Sequence, residues 1–125
     1  MTKRLFLKAW FLLFYADWLM RFRGFLRVHA LVREEPVSPS TDPRVDLQQL
    51  SHAVDLGCVF YFKQVLCLQR SAALAILLRR HGWKGEMVIG AQLLPFLSHA
   101  WVEVCDRVVN DKPYIRNAFQ VLDRC

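Results

Sequence analysis

The sequence predicts an α+β fold, with helices first and a small antiparallel sheet after them. Three observations lead to it. Up to Gly82 the apolar residues recur at helical spacing. Beyond Gly82 the pattern shortens to β-branched runs of strand length. Those runs are separated by brief turn signals, which suits strands paired with their neighbours in the chain. With 125 residues and no internal repeat, the chain suits one domain, divided into a helical arm with its linker (1–41) and a core (42–125).

Residues 3–33 read as the arm. Leu5, Leu12, Tyr15, Leu19, Phe22 and Leu26 follow helical spacing, no proline intervenes, and Gly24 is the one break. The segment "EEPVSPSTDP" (34–43) carries three prolines, two serines and a threonine and reads as a loop. Asp42 followed by Pro43 predicts an N-cap and first turn for a second helical stretch. Leu47, Leu50, Val54 and Cys58 share one face of it, and its end is expected near Tyr61. "CLQRSAALAILLRRHG" (67–82) is the clearest helix: alanine and leucine fill it, Arg79 and Arg80 occupy its last turn, and Gly82 stops it. Strands are expected at 85–93 ("GEMVIGAQL"), 99–104 ("HAWVEV") and 108–110 ("VVN"), with a break at Pro95-Phe96 and a turn at Cys105–Arg107.

Composition narrows the function classes. The formal net charge is +6 and the pI about 9.5. Much of the excess sits in the arm, at Lys3, Arg4, Lys8, Arg21, Arg23, Arg27 and Arg33; a second cluster is Arg70, Arg79, Arg80 and Lys84. Such charge favours anionic partners without choosing among them, and no nucleic-acid motif accompanies it. Hydrophobic residues form 54% of the chain, enough that some apolar surface is expected to meet a partner or a membrane face. Cys58, Cys67, Cys105 and Cys125 form no CxxC pair and fit no zinc spacing, so they read as reduced thiols of a cytoplasmic protein. "AWFLLFYA" (9–16) falls far short of the ~20 residues a membrane span needs. No cleavage signal follows it, although a helix lying on a membrane surface fits the same pattern.

One constellation could carry chemistry. A thiol nucleophile needs stabilisation of its thiolate, a base within hydrogen-bond reach and a group that orients the base. Cys67 stands at the N-terminal edge of the clearest helix, where unpaired N–H groups favour thiolate and could hold an oxyanion. His99 opens a strand and Asp111 closes the next, so an antiparallel turn brings them side by side. Asp111 would accept the Nδ1 proton and leave Nε2 for the sulfur. Asn110 competes for the orienting role; a carboxylate stabilises imidazolium better. Taken singly, Cys67 reads as a small buried hydrophobe, His99 as a half-buried side chain and Asp111 as a turn residue. Trp101 and Phe96 read as core. Arg70 reads equally as a solvated charge and as a partner of an acid near the site. Gln64, three residues before Cys67, is a conceivable oxyanion donor, while His29, His52 and His81 lack a visible partner and read as surface residues.

"CLxRSxAL" from Cys67, "VIG", "PFxxHAWVE" with His99 and "ND" ending at Asp111 together resemble the leader peptidases of lasso-peptide biosynthesis, over about residues 60–120. The resemblance implies a transglutaminase-like, broadly papain-like cysteine-protease core, with the nucleophile at a helix N-terminus. It implies a catalytic Cys67–His99–Asp111 triad that hydrolyses the leader–core amide of a ribosomally made precursor, with no metal or organic cofactor. The chain has no room for an added recognition domain, so it resembles the stand-alone protease half. That implies three partners: the precursor, a separate leader-recognition protein and a macrolactam synthetase. An acyltransferase with the same triad and a non-enzymatic basic helical module are the competing functions.

Overall fold

The computed structural model describes residues 3–39, 46–93, 96–111 and 113–125. Four helices precede most of the sheet: α1 (Lys3–Phe22), α2 (Phe25–Glu34), α3 (Leu47–Val59) and α4 (Cys67–Arg80). The strands are β1 (Glu86–Leu93), β2 (Phe96–Val104), β3 (Arg107–Val108) and, after a one-turn helix α5 (Ile115–Ala118), β4 (Gln120–Arg124). The sheet is antiparallel with order β3-β2-β1-β4. The α+β expectation holds. The elements beyond Asp111 do not declare themselves in the sequence: β4 has all five residues exposed and lacks the buried alternation that marks a strand.

The arm divides where the sequence breaks. Gly24 has φ 85°, a conformation that L side chains rarely adopt, and α1 and α2 part there. α1 buries Leu5, Ala9, Leu12, Leu13, Ala16 and Leu19 against α3 and α4. α4 packs in turn on β2, so it is the middle layer between arm and sheet. Its interior is accordingly apolar on all sides: Ala72 through Leu78 are at most 1% exposed. At its far end Trp83 N–H bonds Leu78 O at 2.9 Å and Gly82 N–H bonds Arg79 O at 3.2 Å. This is the paired cap expected where a glycine follows a helix. Arg79, a member of the second basic cluster, is buried; Nε donates to Gly85 O at 2.8 Å and the guanidinium also donates to Val32 O, capping α2.

Two boundaries differ from expectation. α3 begins at Leu47, capped by Asp46, whose side chain accepts from Gln49 N–H at 2.8 Å while Asp46 N–H donates to Gln49 Oε1 at 3.2 Å. This capping box outranks the proline signal, and the Asp42-Pro43 start lies outside the described residues. β2 extends back to Phe96, past the expected break, whereas β3 shrinks to two residues, the Val102 N–H being taken by the Asn110 side chain instead of a strand carbonyl. Cys105 and Asp106 have φ of 51° and 64°, giving the two-residue hairpin turn whose twist suits paired strands.

Asp17, the acid within α1, faces inward: Tyr61 O–H donates to its Oδ2 at 3.1 Å and Lys63 Nζ lies 3.0 Å from its Oδ1. Burial, the hydrogen bond and the Asp17 charge together push Tyr61 up from its ordinary value of 10 to about 12. A raised value favours the protonated form in the fold, so this stabilisation is complete below pH 10 and lost as pH rises through about 12. Denaturant titrations across that window should show wild type losing stability faster than Tyr61→Phe, and parallel curves would refute the coupling.

Candidate active site

α4 begins differently from α3. Its N-cap is Leu66, which supplies no side-chain hydrogen bond, so the first N–H groups of the helix are left uncapped at Cys67. An apolar N-cap forgoes roughly 1 kcal/mol. What is gained is a set of donors and a positive dipole end beside a half-buried thiol. The other thiols sit in different surroundings. Burial pushes Cys58 up, offset in part by Arg70, and pushes Cys125 up to about 11; Cys105 is exposed on the hairpin turn.

His99 Nε2 donates to Asp111 Oδ2 at 2.5 Å. The bond uses the distal ring nitrogen, not the Nδ1 that the hairpin picture assigned to it. The β2–β3 ladder ends with the pair Glu103 and Val108, so Asp111 lies beyond the paired residues and is met by the far edge of the ring. Nδ1 is thereby the nitrogen left for another partner. Both side chains are shielded, His99 to 27% and Asp111 to 20% exposure.

Asn110 is occupied otherwise. Its Oδ1 accepts from Val102 N–H at 2.8 Å, its Nδ2 donates to Ser71 Oγ at 3.2 Å, and its carbonyl accepts from Arg70. Ser71 Oγ in turn donates to Ala100 O at 3.1 Å and is fully buried. Three segments are joined through one hydroxyl: α4 one turn beyond Cys67, β2 next to His99, and the loop just before Asp111. Arg70 thus holds a backbone carbonyl of the acid's own loop, with the Asp55 carboxylate more distant at 3.9 Å.

Register then relates the thiol to the imidazole. Ser71 meets β2 at Ala100, and Arg79 meets Gly85, beside the Glu86–Glu103 pair. Eight helical residues and three to four strand residues both span about 12 Å, so α4 runs parallel to β2. Four residues back, about 6 Å, sets Cys67 nearly two strand residues before Ala100, level with Ser98, the neighbour of His99. No hydrogen bond joins the Cys67 thiol to His99 among the described residues. The face of β2 bearing Ala100 and Val102 packs on α4, and His99 shares the other face with Trp101 and Glu103.

That other face is an aromatic bed. The Phe119 ring lies 5.5 Å from the imidazole at 28°, and Trp101 lies 6.1 Å away at 28°. Gly90, opposite His99 in the ladder, makes the room: a Cβ there would come within 2.8 Å of Trp101 and 2.9 Å of Phe119. Trp101 is fully buried, as its reading as core requires; its indole donates to Glu103 Oε2 at 2.8 Å, and Arg124 from β4 pairs with Glu103 Oε1 at 2.9 Å. The Phe96 side chain lies outside the described residues. Gln64 is exposed in the loop before α4.

His29 corrects its reading as an unpartnered surface residue: it pairs with Asp123 at 2.6 Å and its side chain is 15% exposed. Its partner is 94 residues away, so local sequence carries no sign of it. His52 is exposed, and His81 closes α4 as its C-cap. Phe119, Ser71 and Gly90 were not legible as site residues. A serine inside an alanine-leucine helix, with "HAWVE" nearby in the fold but not in the chain, gives no local signal.

Ser71→Ala would leave the Ala100 carbonyl and the Asn110 amide each short of a partner. The expected cost is about 1–3 kcal/mol in chemical denaturation. A loss under about 0.5 kcal/mol would show that this hydroxyl does not join the three segments.

A family model described as "Transglutaminase-like superfamily" matches residues 10–124. The microcin J25-processing protein McjB of Escherichia coli is 41% identical over 56 residues, which make up 45% of this chain and 27% of that protein. This chain therefore matches about a quarter of that relative's length. No solved structure matches the chain. With nearly its whole described length inside the family match, the chain belongs to the transglutaminase-like superfamily.

Proposed function

We propose that the chain is a cysteine peptidase that removes the leader from a lasso-peptide precursor, with Cys67 as nucleophile, His99 as acid and base and Asp111 as the orienting carboxylate. The observation that carries this reading is the His99–Asp111 hydrogen bond, held through Asn110 and Ser71 to the helix whose uncapped first turn bears Cys67. The partial likeness to a microcin-processing protein supports the substrate class.

In the proposed cycle, His99 Nδ1 takes the thiol proton while Nε2 stays on Asp111. The thiolate attacks the scissile carbonyl, and N–H groups of the first turn of α4 hold the oxyanion. Collapse breaks the C–N bond, with the imidazolium giving its proton to the leaving core amine. Water, deprotonated by His99, then cleaves the thioester and releases the leader carboxylate. His99 lies on the β2 face turned from α4, so the proposed cycle requires the imidazole to come round the start of β2 to Cys67 when substrate binds. A separate leader-recognition protein would present the precursor, and a macrolactam synthetase would consume the freed amine. The breadth of the superfamily favours one second reading: the same thioester attacked by an amine instead of water. Product masses separate the two.

Cys67→Ala should abolish precursor cleavage with an unchanged circular-dichroism spectrum; full activity in that variant would end the proposal. Asp111→Asn keeps the shape but removes the charge that stabilises imidazolium, so kcat should fall by about 10³-fold or more with KM little changed. In a Cys105→Ser background, which removes the exposed thiol, iodoacetamide at neutral pH should label a single thiol rapidly and lose that label in Cys67→Ala. Cys58 and Cys125 should react slowly, since burial holds both protonated.

A further inference from the structure

Between Lys3 and Arg27 every exposed side chain is either a cation or a large apolar group. Leu7, Phe11, Phe14, Trp18 and Phe22 follow one face of α1 and are 43–61% exposed. The stripe is about 22 Å long. Arg4 and Lys8 flank one end, and Arg21, Arg23 and Arg27 the other. Asp17 is turned inward to Tyr61 and Lys63. Beside the stripe, a groove of about 450 Å³ combines Leu7, Phe11 and Tyr15 with Arg4, Lys8 and Arg80, the last also paired with Glu35 at 2.7 Å.

We propose that this face of the arm docks on the surface of an anionic lipid bilayer, with α1 lying parallel to the membrane plane. Two features favour lipid over a protein partner, and a third sets how the helix lies. Cations at both ends of one helix meet a plane of negative headgroups along their whole span, whereas a buried protein contact would need an acid placed for each. Protein interfaces carry about one hydrogen bond per 100–200 Å². Here the exposed neutral polar groups are only the Tyr15 hydroxyl and the Trp18 indole, amphipathic rings of the kind that settle at a headgroup boundary. The helix is also kept from inserting across the bilayer: no helix among the described residues is long and apolar enough to span one. Rings buried at the acyl boundary with cations in the headgroup layer is the arrangement of an interfacial helix.

The layering makes the contact compatible with a working site. α1 lies on the opposite side of α4 from the sheet, so His99, Asp111 and Phe119 face away from the bound surface. The proposal rests on the arm alone and does not depend on the role of Cys67.

The test is sedimentation of the full chain with vesicles of phosphatidylcholine alone and with vesicles containing roughly one third phosphatidylglycerol. Binding should be about tenfold tighter to the anionic vesicles and should weaken steeply between low salt and 0.5 M, where screening shortens the reach of the cations to about 4 Å. Arg23→Glu with Arg27→Glu touches no buried side chain and should weaken binding by about tenfold. Phe11→Ser with Trp18→Ser should do the same at an unchanged melting temperature, and if that variant fails to fold, the charge reversal and the salt series decide. Absence of binding, equal binding to neutral vesicles, or a wild-type dimer abolished by these same substitutions would overturn the proposal.

Discussion

A single buried hydroxyl ties this fold together. Ser71 donates to the β2 backbone beside His99 and accepts from the residue that precedes Asp111, while belonging to the helix that opens with Cys67. Each bond would be ordinary alone. Their convergence means that helix, strand and loop cannot shift independently without orphaning a buried polar group, which costs more than the bond itself contributes. Arg70 repeats the tie from the adjacent position by holding the Asn110 carbonyl. Precision in the imidazole's placement therefore comes from backbone carbonyls and one amide side chain, not from the hairpin ladder, which stops at Val108.

Asymmetry between helix ends follows the same logic. α3 is closed by a reciprocal capping box and α4 is terminated by a paired glycine cap, so both of those ends are satisfied. The one helix start left without a side-chain cap among α3 and α4 is the one at Cys67. Leu66 offers no side-chain acceptor, so the first-turn N–H groups beside Cys67 have no side-chain cap. Packing compensates: the rest of α4 is wrapped by α1, α3 and β2, so the helix does not depend on its first turn for stability.

Periodicity made the helices legible because each has a distinct buried face or, for α4, a continuous run of alanine and leucine closed by Gly82. Gly24, the turn at Cys105 and Asp106, and the edge position of Cys67 were equally readable from residue type. The N-cap of α3 was misplaced because a proline attracted the assignment, although Asp46 and Gln49 already stood at capping-box spacing. β4 and α5 escaped because they lean on the sheet with little burial of their own. At the site, cysteine, histidine and acid could be nominated from chemistry and order. Which ring nitrogen meets the acid, and what supports the ring, depended on Phe119, Gly90 and Ser71, whose partners are set by the tertiary fold.

The support of the imidazole by the last strand has a consequence for biogenesis. β4 pairs with β1 across 28 to 35 intervening positions, and Phe119 and Arg124 reach the His99 face only when that pairing exists. Contacts so distant in the chain form late, after local helices and the central hairpin. A chain still emerging from the ribosome would already hold its thiol on a formed helix while the histidine remained unaligned. The pairing of β4 with β1 thus sets when the surroundings of the imidazole are complete.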